Sequence, residues 1–449
     1  MKKVLIVTYY FPPSGGPGVQ RVLKFAKYLP QFGWEPIILT VENGDYPARD
    51  ESLLKEIPPS LKIYRTKIFE PYNLYRKLTG KKTGVAVDVN TIPKKGERRN
   101  LSETIAEFIR ATLFIPDARI GWLLPALREG KKIIGQEHVE MIYSSSPPYT
   151  CALIARALHR ATHLPWVAGF RDPWTGFLST PQRWFLPAAI DKHFERSCFE
   201  EASRIEVAWR GIQSDIEKKY PTLPLKKIEH LSNGFDSEDF PAVSSQRNDK
   251  FTVTYTGSMY GVRTPKSFLD AVANLIKKGS VDAKKIRLQF IGRFGEVVHE
   301  MFREPLISGC VEIIPYVPHS ESILRLLSSD ALLLVVDEFE GHDDIVPGKV
   351  FEYLGAKRPI IAIAPEGAAA ELLRETRAGK SALHHDVAAI ENIFLEYYND
   401  YLYNSSNFQP AKERRGFQPN KELVARYERK EVTKRLAEIF NELLIQTHT

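Results

Sequence analysis

Asp343-Asp344-Ile345-Val346-Pro347-Gly348-Lys349-Val350-Phe351-Glu352-Tyr353-Leu354-Gly355-Ala356-Lys357-Arg358-Pro359, with the apolar run 360–364 behind it, is the stretch from which the architecture of this chain is read. Pro347 and Gly348 open a helix and Val350, Phe351 and Leu354 recur at helical spacing. Gly355 with Pro359 is expected to close it before a short buried strand. The helix start also carries chemistry, because its free N–H groups and partial positive charge suit an anion. Lys349 in the first turn works against the dipole unless an anion is bound there. Glu352 lies one turn on, so phosphate and hydroxyl groups of one small ligand come within reach of both. An amphipathic helix with solvated charges would carry the same residues, and this stretch alone does not decide between the two.

The alternation of strand and helix continues outward. In the second half, strands are expected at 252–255, 286–291, 311–314, 331–336 and 359–364, each separated by a helical pattern. In the first half they fall at 4–9, 34–40, 140–143, 166–170, 204–208 and 228–231, with helices at 149–162 and 186–201 and a turn at 144–148. Strands that alternate with helices imply a parallel, doubly wound sheet in each half, an α/β protein of two domains. The polar stretch 237–250 marks the boundary, which gives an N-terminal domain at 1–236 and a C-terminal domain at 237–420. A single long amphipathic helix from 420 to 444 ends the chain, and 421–449 forms the last segment.

Three strand ends bear candidate ligand groups. Strand 4–9 runs into Phe11-Pro12-Pro13-Ser14-Gly15-Gly16-Pro17-Gly18, after which Val19, Val22, Leu23, Ala26 and Leu29 mark a helix. Gly15 and Gly16 let backbone N–H groups approach a phosphate, although the loop fits neither the dinucleotide fingerprint nor the Walker pattern. Strand 166–170 delivers Arg171-Asp172-Pro173-Trp174 at its C-terminal end, where ligands of open α/β sheets bind. A cation, a carboxylate and an aromatic there suit a polyhydroxylated or phosphorylated substrate; a structural Arg–Asp pair is the other reading. The strand at 252–255 ends in Thr256-Gly257-Ser258-Met259-Tyr260-Gly261-Val262-Arg263 and the strand at 286–291 in Gly292-Arg293, small residues and arginines that again suit an anion.

Composition bounds the function classes. With 43% hydrophobic and 26% charged residues the chain is ordinary and globular, and 449 residues exceed what one core holds. Cys151, Cys198 and Cys310 are odd in number and widely spaced, which predicts buried free thiols in a reducing compartment rather than a disulfide or zinc framework. No run approaches the length of a membrane span, and Met1-Lys2-Lys3 before a short apolar run reads as a cytoplasmic start. Net charge is +7, yet residues 61–100 hold eleven Lys and Arg against Glu70, Asp88 and Glu97. A patch confined to one region points to an anionic partner on one face and not to a protein built for nucleic acid. Asn100-Leu101-Ser102-Glu103 resembles a capping box, and Leu101, Ile105, Phe108, Ile109 and Leu113 follow at helical spacing. This insertion, about 61–128, either docks on an anionic membrane surface, which would make the protein peripheral on the inner face of the membrane, or packs on its own domain with 80–99 as a solvated loop. The acidic residues Asp337, Glu338, Glu340, Asp343 and Asp344 read as a solvated loop, so no metal site is expected.

Together these residues resemble the nucleotide-sugar glycosyltransferases of the two-domain GT-B architecture, closest to the retaining group called family four. The resemblance covers nearly the whole chain: Gly15-Gly16, Asn233-Gly234-Phe235-Asp236, Gly257 and the segment 347–359. It implies two Rossmann-like domains facing a cleft, donor binding by the second domain and a final helix that crosses back to the first. By the same resemblance Glu352 holds the ribose hydroxyls, basic residues after the Gly257 strand hold the diphosphate, Pro315-Tyr316-Val317 faces the base and Gly16 approaches the donor phosphates. The chain departs from the family's pattern at three points. The first of two acidic positions eight apart is Asp344 instead of glutamate; Gly257-Ser258 replaces a Gly-Arg and lysine pair, with Arg263 and Lys266 as displaced candidates; and Arg171, beside Asp172, stands nearest the position often occupied by histidine. The implied activity is transfer of a sugar, with retention, from a nucleoside-diphosphate sugar to a glycan or lipid-linked acceptor in cell-surface polysaccharide assembly, with no bound cofactor or metal. The donor-side residues are then Gly15, Gly16, Gly257, Ser258, Arg293, Tyr316, Val317, Asp344, Gly348, Lys349 and Glu352, and the reacting centre has Arg171, Asp172, Arg263 and Lys266. A sugar-nucleotide epimerase and a noncatalytic sugar-nucleotide-binding scaffold are the alternatives.

Overall fold

The computed structural model describes residues 1–46, 49–68, 111–112, 114–176, 183–242, 248–259, 263–337, 346–406 and 417–448. The chain divides into two compact units, residues 1–232 with 429–449 and residues 233–428.

The first unit holds seven parallel strands, β1 (Lys2–Thr8), β2 (Trp34–Val41), β3 (Lys62–Thr66), β4 (Met141–Ser146), β5 (Trp166–Phe170), β6 (Arg204–Val207) and β7 (Ile228–His230), in the order β3-β2-β1-β4-β5-β6-β7. Its helices are α1 (Pro17–Tyr28), α2 (Leu123–Glu137), α3 (Thr150–Thr162), α4 (Phe185–Glu201) and α5 (Arg210–Lys219). The pleat of β1 sends Leu5 and Val7 into a layer with α2 and α3, and Val4 and Ile6 into the opposite layer with α1. A strand buried on both faces must be apolar throughout, which is why this sheet reads as continuous hydrophobic runs.

The second unit has six parallel strands, β8 (Phe251–Thr256), β9 (Ile286–Ile291), β10 (Val311–Ile314), β11 (Ala331–Val335), β12 (Ile360–Ile363) and β13 (Gly379–Ala382), ordered β10-β9-β8-β11-β12-β13. Around them lie α6 (Lys266–Lys277), α7 (Glu296–Phe302), α8 (His319–Leu327), α9 (Lys349–Ala356), α10 (Ala368–Thr376), α11 (Val387–Ser406) and α12 (Lys421–Ala425). Leu333 and Val335 face the layer of α6 and α11, while Leu332 and Leu334 face α9 and α10. The last helix, α13 (Arg429–His448), belongs to the first unit, where Leu436 and Phe440 enter the core beside Trp34 and α1.

Several local expectations need correction. Residues 144–146 continue β4 instead of forming a turn; the serines are tolerated in the core because hydroxyls find partners there, as Ser144 Oγ does by accepting from Trp166 Nε1 at 3.0 Å. The single helix expected at 420–444 is two helices. Between them Tyr427 O accepts from Phe235 N at 3.0 Å, Glu428 bridges to Phe235, and the Tyr427 ring packs on Phe351, so the chain pairs with another segment where a helix would continue. Helix α9 is closed by Lys357 in the left-handed conformation (φ 55°) and not by Gly355, which is buried where a Cβ would strike the Phe240 and Phe235 rings. Cys151, Cys198 and Cys310 are buried free thiols, as expected. The basic stretch from 69 to 100 and the helix expected from Asn100 lie outside the described residues, apart from the helical Ala111 and Thr112. No described helix is long and apolar enough to cross a membrane.

Candidate active site

The sheet of the second unit reverses its strand order at β8, which has β9 on one side and β11 on the other. The C-terminal ends of β8 and β11 therefore flank a switch point, where an open parallel sheet leaves room for a ligand. Gly257 follows β8 with φ +117°, and a Cβ on it would sit 2.6 Å from Lys349 Nζ. Gly292 follows β9 with φ +143°, and a Cβ there would lie 2.1 Å from Gly257 O. Glycine is thus favoured at both turns by conformation, and at Gly292 required by space as well. Lys349, the first residue of α9, donates from Nζ to Tyr255 Oη at 2.7 Å and lies 3.9 Å from the centroid of that ring. Tyr255 Oη in turn donates to Ser258 O at 3.2 Å.

Arg263, from the loop that leads into α6, reaches back across the switch point and makes a bidentate pair with Asp337, just beyond β11, with nitrogen–oxygen distances of 2.9 and 2.5 Å. Burial, reinforced by the positive charge of Arg263, lowers the Lys349 pKa to about 7, against the opposing pull of Glu352 and Asp337. Two cations and the N-terminus of α9 are therefore gathered with Asp337 as the counter-charge paired to one of them. Such a grouping has the chemistry to hold an anion. Helix α9 is fixed over these strand ends by Tyr353, whose Oη accepts from Thr256 N at 3.0 Å and donates to Leu333 O at 3.2 Å.

One turn along α9, Glu352 Oε1 lies 3.2 Å from Nε2 of His319, the first residue of α8, and the carboxylate is partly open. Arg293 stands over the exposed Tyr316 ring at 5.9 Å, and Val317 is half-buried in the same loop. Lys266 is placed elsewhere: 62% exposed at the start of α6, it bonds both carboxylate oxygens of Asp270 at 2.9 and 2.7 Å. Asp344 lies outside the described residues, as do Tyr260, Gly261 and Val262 of the β8 loop and Glu338, Glu340 and Asp343 of the acidic run. Gly348 is the N-cap of α9.

In the first unit the switch point lies between β1 and β4. Gly16, with φ +103° and open space around it, caps α1 next to Gly15. Gly18 is filled over by Arg171, for a Cβ there would stand 1.6 Å from Arg171 Nη1. The guanidinium therefore lies against the first turn of α1, donating from Nη2 to Pro147 O, while Arg171 Nε is buried without a hydrogen-bond partner among the described residues. Burial raises the Asp172 pKa above the ordinary carboxylate value, against the pull of Arg171.

His319, Tyr255, Gly18 and Asp337's pairing with Arg263 were not read as parts of a site from the sequence. A histidine at the first position of a helix, next to the loop assigned to the base, was the available signal for the first. The Gly18–Arg171 contact joins residues 153 positions apart and leaves no local trace.

No protein-family model and no curated protein sequence matches this chain. Solved structures do. Sucrose-phosphate synthase from Thermosynechococcus elongatus is similar over 99% of this chain and 100% of its own, with 11% identity and a TM-score of 0.64. A point variant of S. aureus TarM, in complex with fondaparinux, alpha-GlcNAc-glycerol and UDP, matches over 98% and 100% with 10% identity and a TM-score of 0.61. WaaG, a glycosyltransferase involved in lipopolysaccharide biosynthesis, matches over 97% and 99% with 12% identity and a TM-score of 0.54. At such identities the likeness is one of fold. Two doubly wound parallel sheets, of seven and six strands, in an arrangement of elements shared over nearly the full length with these structures, mean that the chain has the GT-B glycosyltransferase fold.

Proposed function

We propose that this chain is a glycosyltransferase that moves a sugar, with retention, from a nucleoside-diphosphate sugar to a glycan or lipid-linked acceptor in cell-surface polysaccharide assembly. The observation that carries the reading is the anion site at the β8/β11 switch point, where Gly257, Lys349, Arg263 and the α9 N-terminus converge. A diphosphate leaving group gathers negative charge as the bond to the anomeric carbon breaks, and fixed cations and N–H groups stabilise that charge without reorganisation. Glu352, one turn away, has a carboxylate oxygen to offer ribose hydroxyls, and Arg293 with Tyr316 forms a platform for the base. Gly257 and Gly292 let backbone approach the phosphates. Because the protein supplies the positive charge, donor binding is metal-independent in this reading. Retention rests on the family-four pattern that 347–359 resembles. The named neighbours, one bound to UDP with glycan ligands and one acting in lipopolysaccharide biosynthesis, support the donor and acceptor classes. The cytoplasmic, membrane-peripheral location and the domain limits 1–236, 237–420 and 421–449 belong to the same proposal.

The test is a thermal-shift screen over nucleoside diphosphates and their sugars, followed by calorimetry and product analysis on wild type and Glu352→Ala. A ligand that binds only the folded chain raises its stability by RT ln(1 + [L]/Kd). Removing two charge-assisted bonds, each worth roughly 1.5–3 kcal/mol, should weaken donor binding at least tenfold while the melting temperature stays near wild type. A Glu352→Ala protein that binds and transfers like wild type removes the donor-site reading. An isomerised donor formed without acceptor would replace transfer by epimerisation.

A further inference from the structure

The ends of β6 and β7 opposite to the Arg171 edge hold a second set of cations. A cavity of about 440 Å³ opens there, at the N-terminal ends of the strands. Arg204 begins β6, and Lys226 and Lys227 sit in the turn that enters β7. Phe199, Tyr220 and Pro224 give the cavity an apolar wall. Glu200 is the one carboxylate in the lining, and it is taken by Arg196, whose Nε donates to it at 2.7 Å. The neighbouring Glu201 turns to Arg156 and Arg160 at 2.7 and 2.6 Å. Among the described residues no carboxylate pairs with Arg204, Lys226 or Lys227. Lys227 Nζ donates to the Glu200 carbonyl, and Arg204 Nη1 to the Ser203 carbonyl at 3.1 Å, but Arg204 Nε is buried with no partner among the described residues.

A buried N–H left without an acceptor is a standing cost, and so is a half-buried cation beside another. Burial, with Arg204 adding to it, lowers the Lys227 pKa against the pull of Glu200 and Glu201. An anion in the cavity would meet the charge of Arg204, Lys226 and Lys227, which no carboxylate among the described residues pairs. A planar guanidinium with two ammonium groups in the same lining matches the oxygens of a phosphate, and the volume is that of a small-molecule pocket with room for a sugar-sized body.

We propose that this cavity is a second ligand site, separate from the anion site of the other unit, that takes a small phosphomonoester of sugar size, its phosphate on Arg204, Lys226 and Lys227. The full-length protein is titrated by calorimetry with glucose 6-phosphate, with inorganic phosphate and with glucose. Glucose 6-phosphate is expected to bind saturably and more weakly at high salt, phosphate to compete with it, and glucose to give no signal. Lys226 is exposed, so Lys226→Glu should leave the melting temperature unchanged and weaken glucose 6-phosphate roughly tenfold to a hundredfold, as loss of a charge-assisted contact does. Arg204→Gln should act in the same direction, and Lys349→Met, in the other unit, should bind as wild type does. Equal affinity in wild type and Lys226→Glu, loss of binding in Lys349→Met, or the absence of saturable binding to wild type would each overturn the proposal. None of these outcomes depends on whether the chain transfers sugar.

Discussion

Half-buried beside Arg263 and held over the face of Tyr255, the Lys349 ammonium gives up hydration that its neighbours only partly replace, which is why its pKa falls to about 7. An unfolded lysine titrates near 10.4. Between those two values the unfolded chain binds one more proton than the folded one, so this group makes stability rise with pH across that window. Below pH 7 the lysine is charged in both states and its burial penalty is fully present. Lys349→Met should therefore melt higher than wild type at pH 6, with the gap closing toward pH 10. The same substitution should abolish binding of a nucleoside-diphosphate sugar, because an anion at the α9 N-terminus is what restores the charged form. In wild type, donor affinity should fall as pH rises above 7, and calorimetry in buffers of different ionisation heat should detect proton uptake on binding. A pH-independent affinity with no proton uptake would separate Lys349 from the phosphates. Residue types and spacing single out Lys349 and Glu352 as candidates in the sequence, but not the pKa of the first or the His319 contact of the second, since both arise from groups brought in by β8, the β8–α6 loop and α8.

Helix α9 has only eight residues, too few to be stable by propensity, so its position depends on its tertiary contacts. Its buried face provides the bulk of them, and Tyr353 provides the directional one by bonding Thr256 N and Leu333 O at the ends of β8 and β11. Tyr353→Phe keeps the ring and strands the buried Thr256 N–H, which should cost about 1–3 kcal/mol in denaturant unfolding. Because Thr256 precedes Gly257, donor affinity should fall as well; a drop in stability with unchanged affinity would show that the helix start is positioned by packing alone. The central strands were legible because parallel strands buried on both faces are apolar runs, and β5 and β9 fall at the expected limits, as does the partly exposed edge strand β10. Two of the four edge strands were not. β3 (Lys62–Thr66) and β13 (Gly379–Ala382) each pair on one side only, are partly exposed, and so carry polar residues that read as loop. The break before α13 was illegible for a different reason: no Gly or Pro marks it, and the pairing with Phe235 that causes it spans almost half the chain.

At the scale of the molecule, each unit has its own two-layered core, and the first is completed by a helix that begins 197 positions after Ser232, where the rest of it ends. Phe440 of α13 meets Trp34 at 5.1 Å and Tyr143 at 6.3 Å between ring centroids. Phe440→Ala should cost about 3–5 kcal/mol, measured by denaturant unfolding of the first unit. The second unit's stability should respond instead to ligand. A diphosphate carries charge that must be met on binding, by a cation brought from solution or by the protein itself. Here Lys349, Arg263 and the α9 N–H groups stand at the switch point, and the carboxylate of Asp337 beside them is already committed to Arg263. A divalent ion would have to break that bidentate pair to use it. Nucleoside diphosphate at a hundred times its Kd should accordingly stabilise the protein by about 2.7 kcal/mol, and by the same amount in chelator as in magnesium. Raising salt should weaken the effect modestly, because partly buried charges are screened less than exposed ones. Thermal melting with and without chelator decides it: stabilisation that vanishes in chelator and returns with magnesium or manganese would mean that the metal, and not Lys349 with Arg263, neutralises the leaving diphosphate.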